Sequence, residues 1–236
     1  MGKRRQSFSK ALRETIMQIS QLPRLICLIG VDGSGKTTLA KTFEKEANKI
    51  GLKYRYVWGN AQPIFIRPLR WLAHLTLLRD LDMQKDNDRY EKVKEAITTK
   101  HISLSRIYAR ILIIDYIIWL LLKIKFPLFF GERIICDRYV FDVAVNLYFL
   151  DRNHFANVSK TIRSLFKYFP QPDLLYLLDV PISVAYERKE DIPSLRFLEK
   201  RQGIYRRIGG EFNAKTLDGC QPISTSIKIL TNDING

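Results

Sequence analysis

Residues 30–38, Gly30-Val31-Asp32-Gly33-Ser34-Gly35-Lys36-Thr37-Thr38, fit the pattern G-x-x-x-x-G-K-[ST] at each required position. Before them, Leu25-Ile26-Cys27-Leu28-Ile29 is an unbroken apolar run of the kind a buried strand shows. After them, Leu39, Phe43, Ala47 and Ile50 recur at helical spacing. That strand–loop–helix order separates a working phosphate loop from a chance match. Gly30, Gly33 and Gly35 let the backbone turn tightly and aim its N–H groups at an anion. The dipole of a helix opening near Lys36 adds positive potential there. The residues expected to contact a nucleotide are Gly30, Asp32, Gly33, Ser34, Gly35, Lys36, Thr37 and Thr38. Lys36 would reach the β/γ-phosphates, and the Thr37 hydroxyl would hold Mg²⁺. The expectation is a nucleoside triphosphate site.

Strand and helix signals then alternate. Gly51 ends the first helix, and Lys53-Tyr54-Arg55-Tyr56-Val57-Trp58 alternates as a second strand. Gly59-Asn60-Ala61-Gln62-Pro63 is a loop at that strand's carboxyl end, where open α/β sheets place ligands. Helical patterns follow over 68–78, from Tyr90 and over 102–123, with a charged linker over 79–88 and Pro127 as the stop of the long helix. Arg133-Ile134-Ile135-Cys136-Asp137 predicts a third strand, and helices are predicted over 140–150 and 155–168. A fourth strand over 174–178 ends at Asp179-Val180-Pro181. A short helix over 182–189, a basic helix over 195–208, a fifth strand over 214–217 and a helix over 224–230 follow. This alternation predicts an α/β fold, a three-layer P-loop NTPase architecture. It would have a five-stranded parallel sheet, helices on both faces and a small helical lid. The organisation expected is a basic amphipathic N-terminal extension over 1–23 and one domain over 24–236, with its lid at about 187–200.

The chain's 236 residues, 46% of them hydrophobic, can bury one such domain and leave little for a second. A net charge of +15 invites nucleic acid or an anionic membrane as partner. A protein handling two polyanionic ligands also needs a basic site, however, and no stacking aromatics alternate with the basic residues as single-strand binders require. Neither nucleic acid nor membrane is expected as a partner. Cys27, Cys136 and Cys220 show no paired spacing, which implies reduced thiols rather than a disulfide framework or a zinc site, and hence a cytoplasmic protein. The apolar run from Ile111 to Leu122 is too short to cross a bilayer and contains Asp115. The basic N-terminal residues carry Phe8, Leu12, Ile16 and Ile19 on one helical face. They read as a surface-lying helix, a transit-like leader or an extension packed on the domain. A homodimer is compatible with the sequence.

Two apolar strands end in an aspartate, so Asp137 and Asp179 compete to be the acid near Mg²⁺. Phosphoryl transfer needs such an acid, together with cations that neutralise the transferred group. Asp137 is preferred because Arg138 stands beside it. That arginine would clamp donor and acceptor phosphates with its planar fork. Arg188, Lys189, Arg196, Lys200, Arg201, Arg206 and Arg207 form a basic cluster after the fourth strand, where a cover carrying arginines would exclude water and stabilise charge. Arg188 and Arg196, which flank Asp191-Ile192-Pro193, are the members chosen for the catalytic set with Lys36, Asp137 and Arg138; Thr37 and Asp137 are the metal pair. Asp115, alone in an apolar helix, either pairs with Arg106 or Arg110 or lines an acceptor pocket.

Together these residues resemble thymidylate kinase, a nucleoside monophosphate kinase. The phosphate loop is similar to that family's, Asp32 included, and Asp137-Arg138-Tyr139 is similar to its Asp-Arg-[Tyr/His/Phe] motif. Pro172 to Pro181, Phe197 to Tyr205 and Leu217 to Ile223 resemble the strand leading to its lid, the helix after the lid and the last strand with its adenine-bordering loop. The resemblance implies Asp32, Arg110, Arg138, Tyr139 and Asn146 on the acceptor side, and Gln221 and Pro222 beside the donor's base. The departures also lie on the acceptor side. Trp58-Gly59-Asn60-Ala61-Gln62-Pro63 replaces a basic loop, Asp142 replaces a serine, and Leu147, next to Asn146, replaces the glutamine that reads thymine. The function this implies is transfer of the γ-phosphoryl of ATP, with Mg²⁺, to a nucleoside monophosphate, first of all dTMP to dTDP. The alternatives are a same-fold kinase of another small phosphorylated or hydroxylated acceptor, and a nucleotide-dependent protein that binds nucleic acid or membrane.

Overall fold

Leu25-Ile26-Cys27-Leu28-Ile29 is apolar at every position, so neither of its faces can be left to water, and it becomes the central strand of the sheet. The computed structural model describes residues 22–59, 111, 113–150, 155–189, 192 and 194–235. The expectations placed on 1–21, on Asn60 to Pro63, on the helices and linker between 68 and 110, on Arg110 itself, and on Asp191 and Pro193 lie outside the described residues. The described elements are β1 (Leu25–Ile29), α1 (Lys36–Lys49), β2 (Tyr54–Trp58), α2 (113–129), β3 (Arg133–Asp137), α3 (Val140–Leu150) and α4 (Val158–Leu165). They continue as β4 (Leu174–Asp179), α5 (Ile182–Glu187), α6 (Leu195–Glu211), β5 (Lys215–Asp218) and α7 (Ile223–Asn235).

The five strands form one parallel sheet in the order β2-β3-β1-β4-β5. Side chains alternate along β1 and supply two cores. Leu25, Cys27 and Ile29 join Ile134, Cys136, Leu175 and Leu177 beneath α2, α3, α4 and α6. Ile26 and Leu28 join Ile135, Tyr176 and Leu178 against Leu39, Phe43 and Ala47 of α1 and Leu230 and Ile234 of α7. The three-layer α/β architecture with five parallel strands is therefore the one expected. Cys27 and Cys136 are in register on neighbouring strands, buried and unbridged; burial pushes both thiols above their usual range.

Several local expectations are corrected. Pro127 does not stop the long helix: α2 widens into a π segment over Leu121–Lys125 and resumes as α-helix over Phe126–Phe129. A proline inside a helix leaves the carbonyl four residues earlier without its N–H. That carbonyl is Lys123 O, and it accepts from Arg55 Nη2 at 3.2 Å instead. Arg55 is held in turn by Glu132 at 2.6 Å. The chain finally turns at Gly131, where φ is 89°. Ile50 is not on the buried stripe of α1; it caps the helix and is 66% exposed. The helix expected over 155–168 is shorter because Asn157 caps it, accepting from Lys160 N at 2.9 Å. Asp115 is buried on α2, while Arg106 and Arg110, its expected partners, lie outside the described residues.

β1 and β4 are locked together at their amino ends by the Asp173 carboxylate, which accepts from Arg24 N at 2.7 Å and Leu25 N at 2.8 Å. Asp173→Ala should therefore lower stability by about 1–3 kcal/mol. Urea unfolding measures this as a lower midpoint with unchanged slope; an unchanged midpoint would show that the strand start does not depend on this carboxylate.

Candidate active site

Strand order departs in opposite directions on either side of β1, so its carboxyl end is the switch point at which an open α/β sheet forms a crevice. The loop of residues 30–35 leaves β1 there, and Gly35 caps α1 in the left-handed region. Gly33 has φ 81°, and a Cβ on it would come 2.1 Å from Ala185 O of α5. Only glycine lets the loop and α5 approach this closely. Lys36, the first residue of α1, is buried and turns its ammonium back to Val31 O at 2.6 Å and Ser34 Oγ at 3.2 Å. Burial, with Arg138 adding to it, lowers the lysine to about 8 against the partial offset of Asp137, Asp142 and Asp32. A polyphosphate in the loop would supply the anion this cation lacks.

β3 brings the second half. In register with Leu28, Asp137 is fully buried at the strand's end, and its Oδ2 accepts from the Thr37 hydroxyl. Its Oδ1 is buried without a hydrogen-bond partner. A hydroxyl and a carboxylate, both hard oxygen ligands, with one carboxylate oxygen still available, fit Mg²⁺. Asp179, the competing acid, is committed elsewhere. Gln202 Nε2 donates to its Oδ1 at 2.8 Å, and Arg206 bonds its Oδ2 at 2.9 Å.

Arg138 follows with φ 69°, an unfavourable conformation for a side-chain-bearing residue. Its surroundings over-determine it. The backbone N–H donates to Leu28 O at 3.1 Å, one guanidinium nitrogen pairs with Asp32 of the phosphate loop, and another pairs with Asp142 of α3 at 2.8 Å. Asp142 also accepts from the Tyr205 hydroxyl of α6 at 2.5 Å. Burial raises the Asp142 carboxyl against the opposing pull of Arg138, Lys36 and Tyr205. Burial would raise Asp32 too, but Arg138, Lys36, Lys189 and Arg201 outweigh it and hold that carboxyl below its usual range. Arg138, although buried, is held above its usual value by Asp142, Tyr205, Asp32 and Asp137.

A cleft of about 490 Å³ opens at the carboxyl ends of β4 and β5, lined by Asp179, Arg206, Thr216, Asp218, Gln221 and Ile229. It adjoins the phosphate loop, since a Cβ on Gly219 would lie 2.7 Å from Ser34 O. Gln221 thus lines a space beside the triphosphate cup, whereas Pro222 is exposed at the start of α7 and is not among the lining residues.

No family model matches the sequence. Individual relatives do. A probable thymidylate kinase of Metallosphaera sedula is 35% identical over 124 residues, 46% of this chain and 63% of that relative. The thymidylate kinase of Leptospira borgpetersenii is 25% identical over 79% of this chain and 81% of its own length. Probable thymidylate kinase 1 of Saccharolobus solfataricus is 24% identical over 90% of this chain and all of its own. The chain is thus similar to thymidylate kinases, and it spans 63% of the length of the relative it matches at 35% identity. Among solved structures, a deoxyadenosine kinase from M. mycoides with bound dCTP superposes with TM-score 0.50 over 89% of this chain and 98% of that one. At 15% identity it bears on the fold alone.

Around the phosphate loop the structure brings Asp32, Lys36, Thr37, Asp137 and Arg138 together and places other expected residues apart from them. Tyr139, expected as a ligand residue, is fully buried in the core, and its hydroxyl donates to Pro170 O at 3.0 Å. Arg188 donates to Gly219 O at 2.9 Å, on the loop beside the cleft, and Arg196 is exposed on the first turn of α6. Neither hydrogen-bonds to the phosphate loop. From the same basic cluster it is Lys189 that pairs with Asp32, at 3.5 Å, while Arg201 donates to Asn146 Oδ1 at 2.8 Å. Sequence reasoning missed Asp142, Lys189, Arg201 and Tyr205 as site residues. The signal available for them was an acid placed four residues after Arg138, and the i, i+4 spacing of Arg201 and Tyr205.

Removing the Asp142 carboxylate leaves Arg138 with one anion and the buried Tyr205 hydroxyl with none. Asp142→Ser should cost about 1–3 kcal/mol, and Tyr205→Phe about 1 kcal/mol. Because the two share one hydrogen bond, their costs should fall short of additivity in the double variant, as measured by chemical denaturation. Full additivity would show the pair to be uncoupled.

Proposed function

We propose that the protein is a nucleotide kinase that moves the γ-phosphoryl group of ATP, with Mg²⁺, to a nucleoside monophosphate, with dTMP as the leading acceptor. One observation carries the reading: Thr37 of the phosphate loop is bonded to Asp137 at the end of β3, and the next residue, Arg138, is bonded to Asp32 of the same loop. The cup for the donor and the acid–guanidinium pair are one site. The names of the relatives support phosphoryl transfer and, for dTMP, supply its first candidate.

The division of labour follows from position. Lys36 and the N–H groups of 33–38 bind the donor's β- and γ-phosphates. Thr37 and Asp137 would hold Mg²⁺, which supplies charge neutralisation on the phosphate oxygens. Arg138 aligns the two phosphates. Its partner Asp142 is enclosed by α3 and α6 and stays in place, so an arriving phosphate competes with Asp32 for the guanidinium. Asp32, released, then faces the acceptor's sugar. Lys189, in the segment 187–200 expected to form the lid, stands where a cationic cover would act. Gln221 borders the donor's base. A cytoplasmic location belongs to the same reading; among the described residues no helix is long and apolar enough to cross a membrane.

The test is ATP consumption with a panel of nucleoside monophosphates. Transfer to dTMP, abolished by EDTA, is expected. Since this catalysis is nearly all positioning and electrostatics, Lys36→Ala should lower kcat/KM by about 10³-fold or more. Turnover in that variant equal to wild type would exclude the mechanism, and activity on other acceptors but not dTMP would reassign the substrate.

A further inference from the structure

α2 is apolar on two opposite faces. Tyr116, Leu120, Ile124 and Leu128 recur every four residues and are buried in the core. The stripe facing away should then be polar, as on an ordinary surface helix. Instead it carries Ile114, Leu122 and Phe126, each more than half exposed. The stripe continues past the helix end in Phe129 and Phe130, which are 82% and 77% exposed. Their rings meet edge to face with 5.5 Å between centroids. Lys125 reaches from α2 to the turn after α4, donating from Nζ to Tyr168 O at 2.9 Å, and the exposed Tyr168 ring stands at the same edge. Apolar side chains gathered in this way on the outside of a fold mark a surface that something covers.

Charge decides what covers it. Lys123 and Lys125 stand among the apolar residues and Lys167 next to Tyr168, all three of them exposed. Of the acids at this end of the sheet, Glu132 is held by Arg55, and Asp173 accepts from the backbone of Arg24 and Leu25. A second copy of the chain would bring these lysines against their own counterparts and join two molecules of net charge +15. Like charge opposes that contact. An anionic bilayer surface suits both parts of the patch. The rings enter the headgroup region, while the lysines lay their stems along the apolar surface and reach acidic headgroups with their ammonium ends.

We infer that this face is a docking surface for an anionic membrane, with the outer stripe of α2, Phe129, Phe130 and Tyr168 entering the lipid interface and Lys123, Lys125 and Lys167 meeting acidic headgroups. The contact is a face laid on the lipid surface, which needs no spanning helix. Phe130 and Gly131 lead into β3 and Tyr168 leads toward β4, so the aromatic tip lies at the amino ends of the strands. The crevice around Lys36 and Arg138 lies at their carboxyl ends and would be left open to water. The inference does not rest on the proposed reaction.

The test is sedimentation of the full chain with phosphatidylcholine vesicles in which about one lipid in three is phosphatidylserine, beside vesicles of phosphatidylcholine alone. The acidic vesicles should bind the protein about tenfold more strongly. Phe129→Ser combined with Phe130→Ser should weaken that binding by about tenfold or more, because two apolar rings leave the interface. Lys123→Glu should weaken it several-fold and make it more sensitive to salt. All three positions are exposed, so the thermal unfolding of both variants should match that of the wild type. Absence of binding to the acidic vesicles would overturn the inference. So would equal binding by the doubly substituted chain, the behaviour of a +15 protein adsorbing by charge alone. A dimer in solution that light scattering shows to dissociate on the same two phenylalanine substitutions would also overturn it, and would assign the face to a second copy.

Discussion

One buried guanidinium organises the carboxyl end of the sheet. Arg138 takes an unfavourable backbone conformation, with φ 69°, and is held there by carboxylates from two different elements, Asp32 of the phosphate loop and Asp142 of α3. A buried ion pair of this kind adds little net stability, since desolvation offsets much of the attraction, but breaking it on one side is costly. Its effect is positional. The phosphate loop, the tip of β3, α3 and, through Tyr205, α6 all share the same charge network, so none can shift without disturbing the others.

That network also explains the distribution of charge around it. Lys36 is buried without a close carboxylate of its own and is pushed down to about 8. Asp137 keeps one carboxylate oxygen unbonded in a fully buried position. A protein folded only for stability would leave neither. Both become reasonable once a polyphosphate and a divalent cation are added, because each ligand supplies the charge its partner lacks. On the other side of β1, Asp179 has its oxygens filled by Gln202 and Arg206 and serves to seat α6 against the sheet. The two strand-ending aspartates are alike in sequence, and their neighbours give them different work.

The sheet and the phosphate loop were legible in the sequence, because both are written locally. A five-residue apolar run that leads into a glycine-rich turn specifies a buried strand, and the phosphate loop carries its glycines, lysine and threonine within nine residues. What escaped was set by partners distant in sequence. Pro127 reads as a helix stop, and only Arg55, 68 residues before Lys123, shows where the orphaned carbonyl goes. Tyr139 reads as a ligand residue because of its neighbours, yet its hydroxyl belongs to Pro170. The basic cluster gave no sign of which cations turn inward, since that depends on whether Asp32, Asn146 or Asp179 stands opposite. Asp142 was visible only as a departure from a resemblance, and its partners Arg138 and Tyr205 give the departure a physical meaning.

The central claim is that donor and acceptor meet in a single crevice between Lys36 and Arg138. The most direct measurement is a crystal structure with adenosine and thymidine joined through a 5′,5′-pentaphosphate. The account predicts a phosphate chain running from the loop around Lys36 to the Arg138 guanidinium, with the thymidine on the Arg138 side of the chain. A phosphate chain bound away from Lys36, or a thymidine on another face with Arg138 still closed on Asp32, would contradict it.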